Sequence, residues 1–149
     1  PRLVRSTIDE NGKVWETPMG ESHRVVSEST SNTMADLLGA VVCSGTGTRA
    51  QVPGITVAGK TGTGYKVQDN GTYVTEDGSR AYFATFVGYL PADNPRVTIL
   101  VSIDEPDPSS RDRFGGTAAA PVFSALAQVA IQELSIEPTD GDVGCVAAE

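Results

Sequence analysis

Two apolar runs rich in β-branched and aromatic residues, Tyr82–Leu90 and Val97–Ile103, are separated by Pro91-Ala92-Asp93-Asn94-Pro95. With so short a link they predict an antiparallel pair joined by a tight turn. Along the first run Phe83, Thr85, Val87 and Tyr89 fall on one side and Ala84, Phe86 and Gly88 on the other. A shorter run, Ile55–Ala58, predicts a strand leading into Gly59-Lys60-Thr61-Gly62-Thr63. Residues 2–16 read as a hairpin turning at Asn11-Gly12, and Val25-Val26 as a short strand end.

Two helices complete the pattern. Over 28–43, Met34, Leu37, Leu38, Val41 and Val42 recur on one face, with Ser27, Ser29 and Thr33 as candidate N-caps. Over Thr117–Leu134 the apolar face is Phe123, Leu126, Ala127, Ala130 and Leu134, and Pro121 fits only in the first turn. Residues 64–80 read as a polar excursion with a weak hairpin at Asn70-Gly71, and 104–116 as a loop. The order ββ-α-β-ββ-α predicts an α/β (α+β) layered fold, an antiparallel sheet covered by helices. Residues 1–134 read as one domain and 135–149 as a polar, loosely packed tail.

The 149 residues carry a net charge of -8, which argues against nucleic-acid binding, since that needs a basic face. No apolar run is long enough to cross a bilayer as a helix. Cys43, Cys145 and His23 are too few and too scattered for a zinc site, so no metal or cofactor is expected. Cys43 reads as a small apolar residue near a helix end, with a Cys43–Cys145 disulfide open to it in an oxidising compartment. His23 reads as a surface loop residue.

Chemistry concentrates in Ala58–Gly64. On an extended backbone Thr61 and Thr63 point to the same face, suiting a carboxylate, and Lys60 adds positive charge. The glycines let a ligand lie against the backbone, and an exposed N–H there can stabilise an oxyanion. A Gly-rich turn with incidental Lys and Thr is the plainer reading. Residues 54–61 also satisfy GxxxxGK[ST] formally. That phosphate-loop reading suffers from a poor strand before Gly54, a β-branched loop and a helix-breaking Gly62-Thr63-Gly64.

The Lys-Thr-Gly box fits its context better, because a strand carries it and two long strands and a helix follow. With it come Arg24-Val25-Val26-Ser27, Gly45-Thr46-Gly47-Thr48-Arg49-Ala50, Phe86-Val87-Gly88-Tyr89, Ile103-Asp104-Glu105-Pro106 and Gly115–Phe123. In this order the series resembles the C-terminal part of the transpeptidase domain of class B penicillin-binding proteins, up to about Leu134. The resemblance implies a D,D-transpeptidase that cross-links peptidoglycan stem peptides through an acyl-serine and is blocked by β-lactams. It implies that Lys60 supplies positive potential and that Thr61 and Thr63 hold the substrate or β-lactam carboxylate. Gly62 would let the substrate pair along the strand edge, and the Thr63 N–H would be one oxyanion donor. A β-lactamase, a D,D-carboxypeptidase and a non-turnover penicillin sensor are alternatives on the same fold.

No serine here has Lys three residues on, and Thr30-Ser31-Asn32 matches a Ser-x-Asn box only in form. The expectation is therefore a piece of a longer protein, inactive alone, whose upstream half holds the nucleophile and a membrane anchor on the extracytoplasmic face. An incomplete sheet predicts self-association or pairing with that upstream half. Tyr65, Tyr73 and Tyr82 are either cleft-lining or ordinary aromatics. Gly115-Gly116 reads as room for close packing, and Asp104-Glu105-Pro106 as a strand end.

Overall fold

The computed structural model describes residues 3–139. The predicted hairpin forms from β1 (Ser6–Ile8) and β2 (Val14–Glu16), antiparallel with Thr7 opposite Trp15. The Asp9 carboxylate closes its turn by accepting from the Asn11 and Lys13 N–H groups. Val25-Val26 does not form a strand.

Helix α1 spans Glu28–Cys43, and of the three candidate caps Ser27 is used: its Oγ accepts from the Thr30 N–H at 3.1 Å. Such a cap is worth about 1 kcal/mol. The predicted apolar face is buried only at its end. Val42 is 1% exposed, whereas Met34 and Leu37 are 47% and 57% exposed. The last turn of α1 rests on the core, and the first turns project past it.

Strand β3 (Ala58–Tyr65) starts later than the sequence suggested and contains the Lys-Thr-Gly box instead of leading into it. Ile55 makes only an isolated bridge to Val52. β4 (Tyr82–Leu90) and β5 (Val97–Asp104) form the predicted antiparallel pair, and the sheet order is β3-β4-β5. Ala84, Phe86, Gly88 and Leu90 face the core, where Phe86 and Phe123 pack edge-on at 4.8 Å. Gly59 is part of that packing: a Cβ there would run into the Phe86 ring at 2.6 Å. So this glycine makes room for a core side chain, not for a ligand as the composition of the box suggested.

The second helix is shorter than predicted. A π-helical turn at Gly115–Ala119 precedes α2 (Ala120–Glu133), and Pro121 does lie in the first turn of α2. The face in contact with the sheet is Ala120, Phe123 and Ala127, while Leu126 and Leu134 are nearly half exposed. Small residues at 120 and 127 let the helix approach closely, and that rotates the predicted Leu126–Leu134 stripe outward.

Residues 135–139 are packed, contrary to a loose tail from 135 onward. Ile136 is buried, the Thr139 N–H donates to the Gly54 carbonyl at 2.9 Å, and Thr139 Oγ1 accepts from the Thr56 N–H at 2.9 Å. The rest of that predicted tail, 140–149, lies outside the described residues. Cys43 is held in a disulfide and is not just a small apolar residue at a helix end; Cys145, the pairing left open by the sequence, lies outside the described residues.

The excursion from 66 to 81 holds the turn at Asn70-Gly71, closed by Gly71 N–H to the Gln68 carbonyl at 2.8 Å. A second turn follows around Asp77, whose carboxyl is lowered to about 2 by hydrogen bonds from the Thr75 and Ser79 hydroxyls and the Ser79 N–H.

Candidate active site

The register of the sheet determines which way the box points. The Lys66 N–H donates to the Ala81 carbonyl, so 66 and 81 are a hydrogen-bonded pair, and β3 continues in the same register through Thr63 opposite Ala84. In an antiparallel ladder such pairs alternate. Residues 64, 62 and 60 therefore spend their backbone groups on β4. The N–H and C=O of Thr61 and Thr63 point the other way, and among the described residues β3 has no strand on that side.

Side chains obey the other alternation. Thr61 and Thr63 lie opposite Phe86 and Ala84, on the core face of the sheet. There they line a cleft of about 410 Å³ with Thr46, Arg49, Phe114 and Thr117. Thr61 Oγ1 is 2.7 Å from Thr46 Oγ1, and Thr63 Oγ1 accepts from the Gly115 N–H at 3.0 Å. Lys60 starts from the opposite face, opposite Val87. Its ammonium donates to the Thr61 carbonyl at 3.0 Å and comes within 3.5 Å of Thr61 Oγ1. Since that carbonyl faces the free edge, Lys60 reaches around the edge toward the hydroxyl pair. The structure thus brings Thr61 and Thr63 into the cleft and Lys60 to its rim. Gly62 sits between them, with a Cβ that would meet the Thr85 hydroxyl.

Gly116 lines the opposite wall, and Gly115 is buried behind it against the sheet. A Cβ on Gly115 would collide with the Thr85 and Gly62 carbonyl oxygens, and one on Gly116 with the Thr46 carbonyl. Close packing, the reading made from the sequence, is what these residues provide. Phe114 lines the cleft, and from it Tyr82, Tyr65 and Tyr73 run away in a row of ring contacts at 5.4, 5.4 and 6.5 Å. None of the three tyrosines lines the cleft. Asp104 and Glu105 act at the end of β5, where both pair with Lys66, at 2.8 and 3.2 Å, and hold its ammonium above its ordinary range.

Thr46, Arg49, Phe114 and Thr117 were missed as site residues. The only signal was two Thr and an Arg among the glycines of 45–49, and nothing in one sequence says that this loop meets β3. The phosphate-loop reading fails, because Lys60 lies within a strand and not at the start of a helix.

The fold is that of part of a transpeptidase domain of the β-lactamase-like kind. The structure of penicillin-binding protein 3 from Mycobacterium tuberculosis complexed with ampicillin matches all of this chain and 34% of its own, with a TM-score of 0.71 and 34% identity. The apo transpeptidase domain of penicillin-binding protein 3 from Burkholderia pseudomallei matches 91% of this chain and 37% of its own, with a TM-score of 0.66 and 34% identity. The chain belongs to the penicillin-binding protein transpeptidase domain family, whose model matches residues 1–128. PbpB of Mycolicibacterium smegmatis is 35% identical over 97% of this chain and 22% of its own length. Stage V sporulation protein D of Bacillus subtilis is 37% identical over 80% and 18%. The chain therefore spans about a fifth of the curated relatives it matches.

Proposed function

We propose that this chain supplies the substrate-binding and oxyanion strand of a peptidoglycan D,D-transpeptidase. A serine from the rest of the domain attacks the carbonyl carbon of the penultimate D-Ala of a stem peptide. The bond to the terminal D-Ala nitrogen breaks, and that nitrogen leaves with a proton. An amine of a second strand then attacks the ester, and the serine recovers its proton. Thr61 and Thr63 hold the terminal carboxylate, the Thr63 N–H donates to the oxyanion, and Lys60 adds positive potential at the rim. Removing one oxyanion donor typically costs about 10²–10³ in rate.

The observation that carries this reading is the orientation of Thr61 and Thr63: backbone groups toward an open strand edge, hydroxyls into the cleft. An open edge accepts an extended peptide as an added strand. The chain holds no Ser-x-x-Lys box, so alone it is inactive, and the upstream half of the domain completes it. On this reading the reaction takes place on the extracytoplasmic face of the membrane, where stem peptides are cross-linked, with the anchor elsewhere in the parent. Among the described residues no helix is long and apolar enough to cross a membrane. Residues 1–134 carry the proposed activity, with Ile136 and Thr139 of the following segment packed onto them.

The test is covalent labelling of the longest polypeptide containing this chain by a fluorescent penicillin. The expected result is label that survives denaturation and falls sharply on Lys60→Ala. A folded parent that takes no label removes the reading. The isolated chain leaves both β3 and β5 with an unpaired edge among the described residues, and is expected to self-associate. Sedimentation as a clean monomer in dilute solution would count against that.

A further inference from the structure

The transpeptidase reading gives the cleft a carboxylate to hold, and the following rests on that reading. We propose that Arg49 is a positioning residue for this carboxylate, acting through residues 112–117 to aim the Thr63 hydroxyl into the cleft.

A single nitrogen of Arg49, Nη1, reaches both ends of that segment: Asp112 Oδ1 at 2.9 Å and the Thr117 carbonyl at 2.9 Å. The Thr117 carbonyl is available because residue 121 is proline. The N–H that a regular helix would offer it four residues on is missing. Between the two anchors lie Arg113, Phe114, Gly115 and Gly116, of which Phe114 and Gly116 line the cleft. Gly115 donates its N–H to Thr63 Oγ1 at 3.0 Å.

A hydroxyl has one proton and two lone pairs. With a lone pair engaged by Gly115, Thr63 keeps its proton to give, and an anionic oxygen in the cleft is the acceptor that makes the strongest bond with it. The Arg49–Asp112 pair is about half exposed at both side chains, and exposed pairs of this kind add little stability. Its contribution is directional: a planar guanidinium ties the loop after α1 to the segment before α2, across the cleft mouth. The cleft cation is therefore already engaged with protein and acts on the ligand through Gly115 and Thr63.

The experiment measures the second-order rate of acylation by penicillin in the longest polypeptide that contains this chain. Arg49→Ala is expected to slow it about 10–10²-fold, since a misplacement of about 1 Å can cost about 10²-fold. Arg49→Lys keeps the charge but replaces the rigid planar nitrogen that holds both acceptors with a shorter, freely rotating ammonium, and is expected to slow it as well. Combining either variant with Thr63→Val gives the decisive comparison. If Arg49 acts through Thr63, the double variant is no slower than Thr63→Val alone, because coupled residues are not additive. A purely structural role predicts that the two losses multiply, which would overturn the inference. So would a wild-type rate in Arg49→Lys. If Arg49→Ala fails to fold, Arg49→Lys carries the same cycle. These outcomes require a wild type that takes the label; an unlabelled wild type overturns the transpeptidase reading and this inference with it.

Discussion

Replacing Thr61 and Thr63 together with valine is expected to slow acylation by penicillin about 10²–10⁴-fold, since each of the two hydrogen bonds to a charged group is worth about 1.5–3 kcal/mol. Valine matches threonine in shape, so the loss comes from the hydroxyls. Both line the same cleft from the same face of β3. The backbone groups of both residues face the free edge and remain in place after the substitution. A penicillin methyl ester, lacking the carboxylate, should therefore react with wild type and double variant at nearly the same rate. Equal slowing of the acid and the ester would assign the hydroxyls to the scaffold instead. The main structural cost is the Gly115 N–H left without the Thr63 hydroxyl, about 1–3 kcal/mol, so thermal unfolding of the double variant is measured alongside.

Gly115→Ala is expected to destabilise the domain by about 3 kcal/mol and to close the cleft at the same time. The added methyl would meet the carbonyl oxygens of Thr85 and Gly62, which are backbone atoms in the middle of β3 and β4. Neither can rotate away as the end of a flexible side chain would. Relief requires moving the π-helical turn off the sheet, and that takes the Gly115 N–H from Thr63 Oγ1. Thermal unfolding and penicillin labelling of the parent should both fall. Gly62→Ala is the contrast: its methyl meets mainly the end of the Thr85 side chain, which can turn aside. Equal stability of Gly115→Ala and wild type would show that the turn is not pinned to the sheet.

Much of the fold was legible in one sequence because it rests on local signals. The 3.6-residue recurrence of Met34, Leu37, Leu38, Val41 and Val42 placed α1 at 28–43, where it lies. Alternation and a five-residue link placed the β4–β5 pair. The box Lys60–Thr63 was legible too, since a cation, hydroxyls and glycines in one strand limit what chemistry the strand can support. Where local signals misled, packing explains why. The periodic face of α1 marked where apolar residues fall, but the core reaches only Val42. The stripe through Leu126 and Leu134 was turned outward because Ala120, Phe123 and Ala127 fit closer to the sheet. Residues 135–139 carry no periodicity, yet Ile136 is buried and Thr139 finds partners more than eighty residues back, at Gly54 and Thr56.

The division is physical. Strand alternation, helix periodicity and residue chemistry depend on neighbours within a few positions, so Lys60, Thr61, Gly62 and Thr63 could be named from the chain alone. That Thr61 meets Thr46, that Thr63 meets Gly115, and that Arg49 bridges Asp112 and Thr117 are contacts across 15, 52, 63 and 68 positions. Contacts of that span follow from how the sheet, the π-helical turn and the end of α1 close on one another, and no local pattern encodes them.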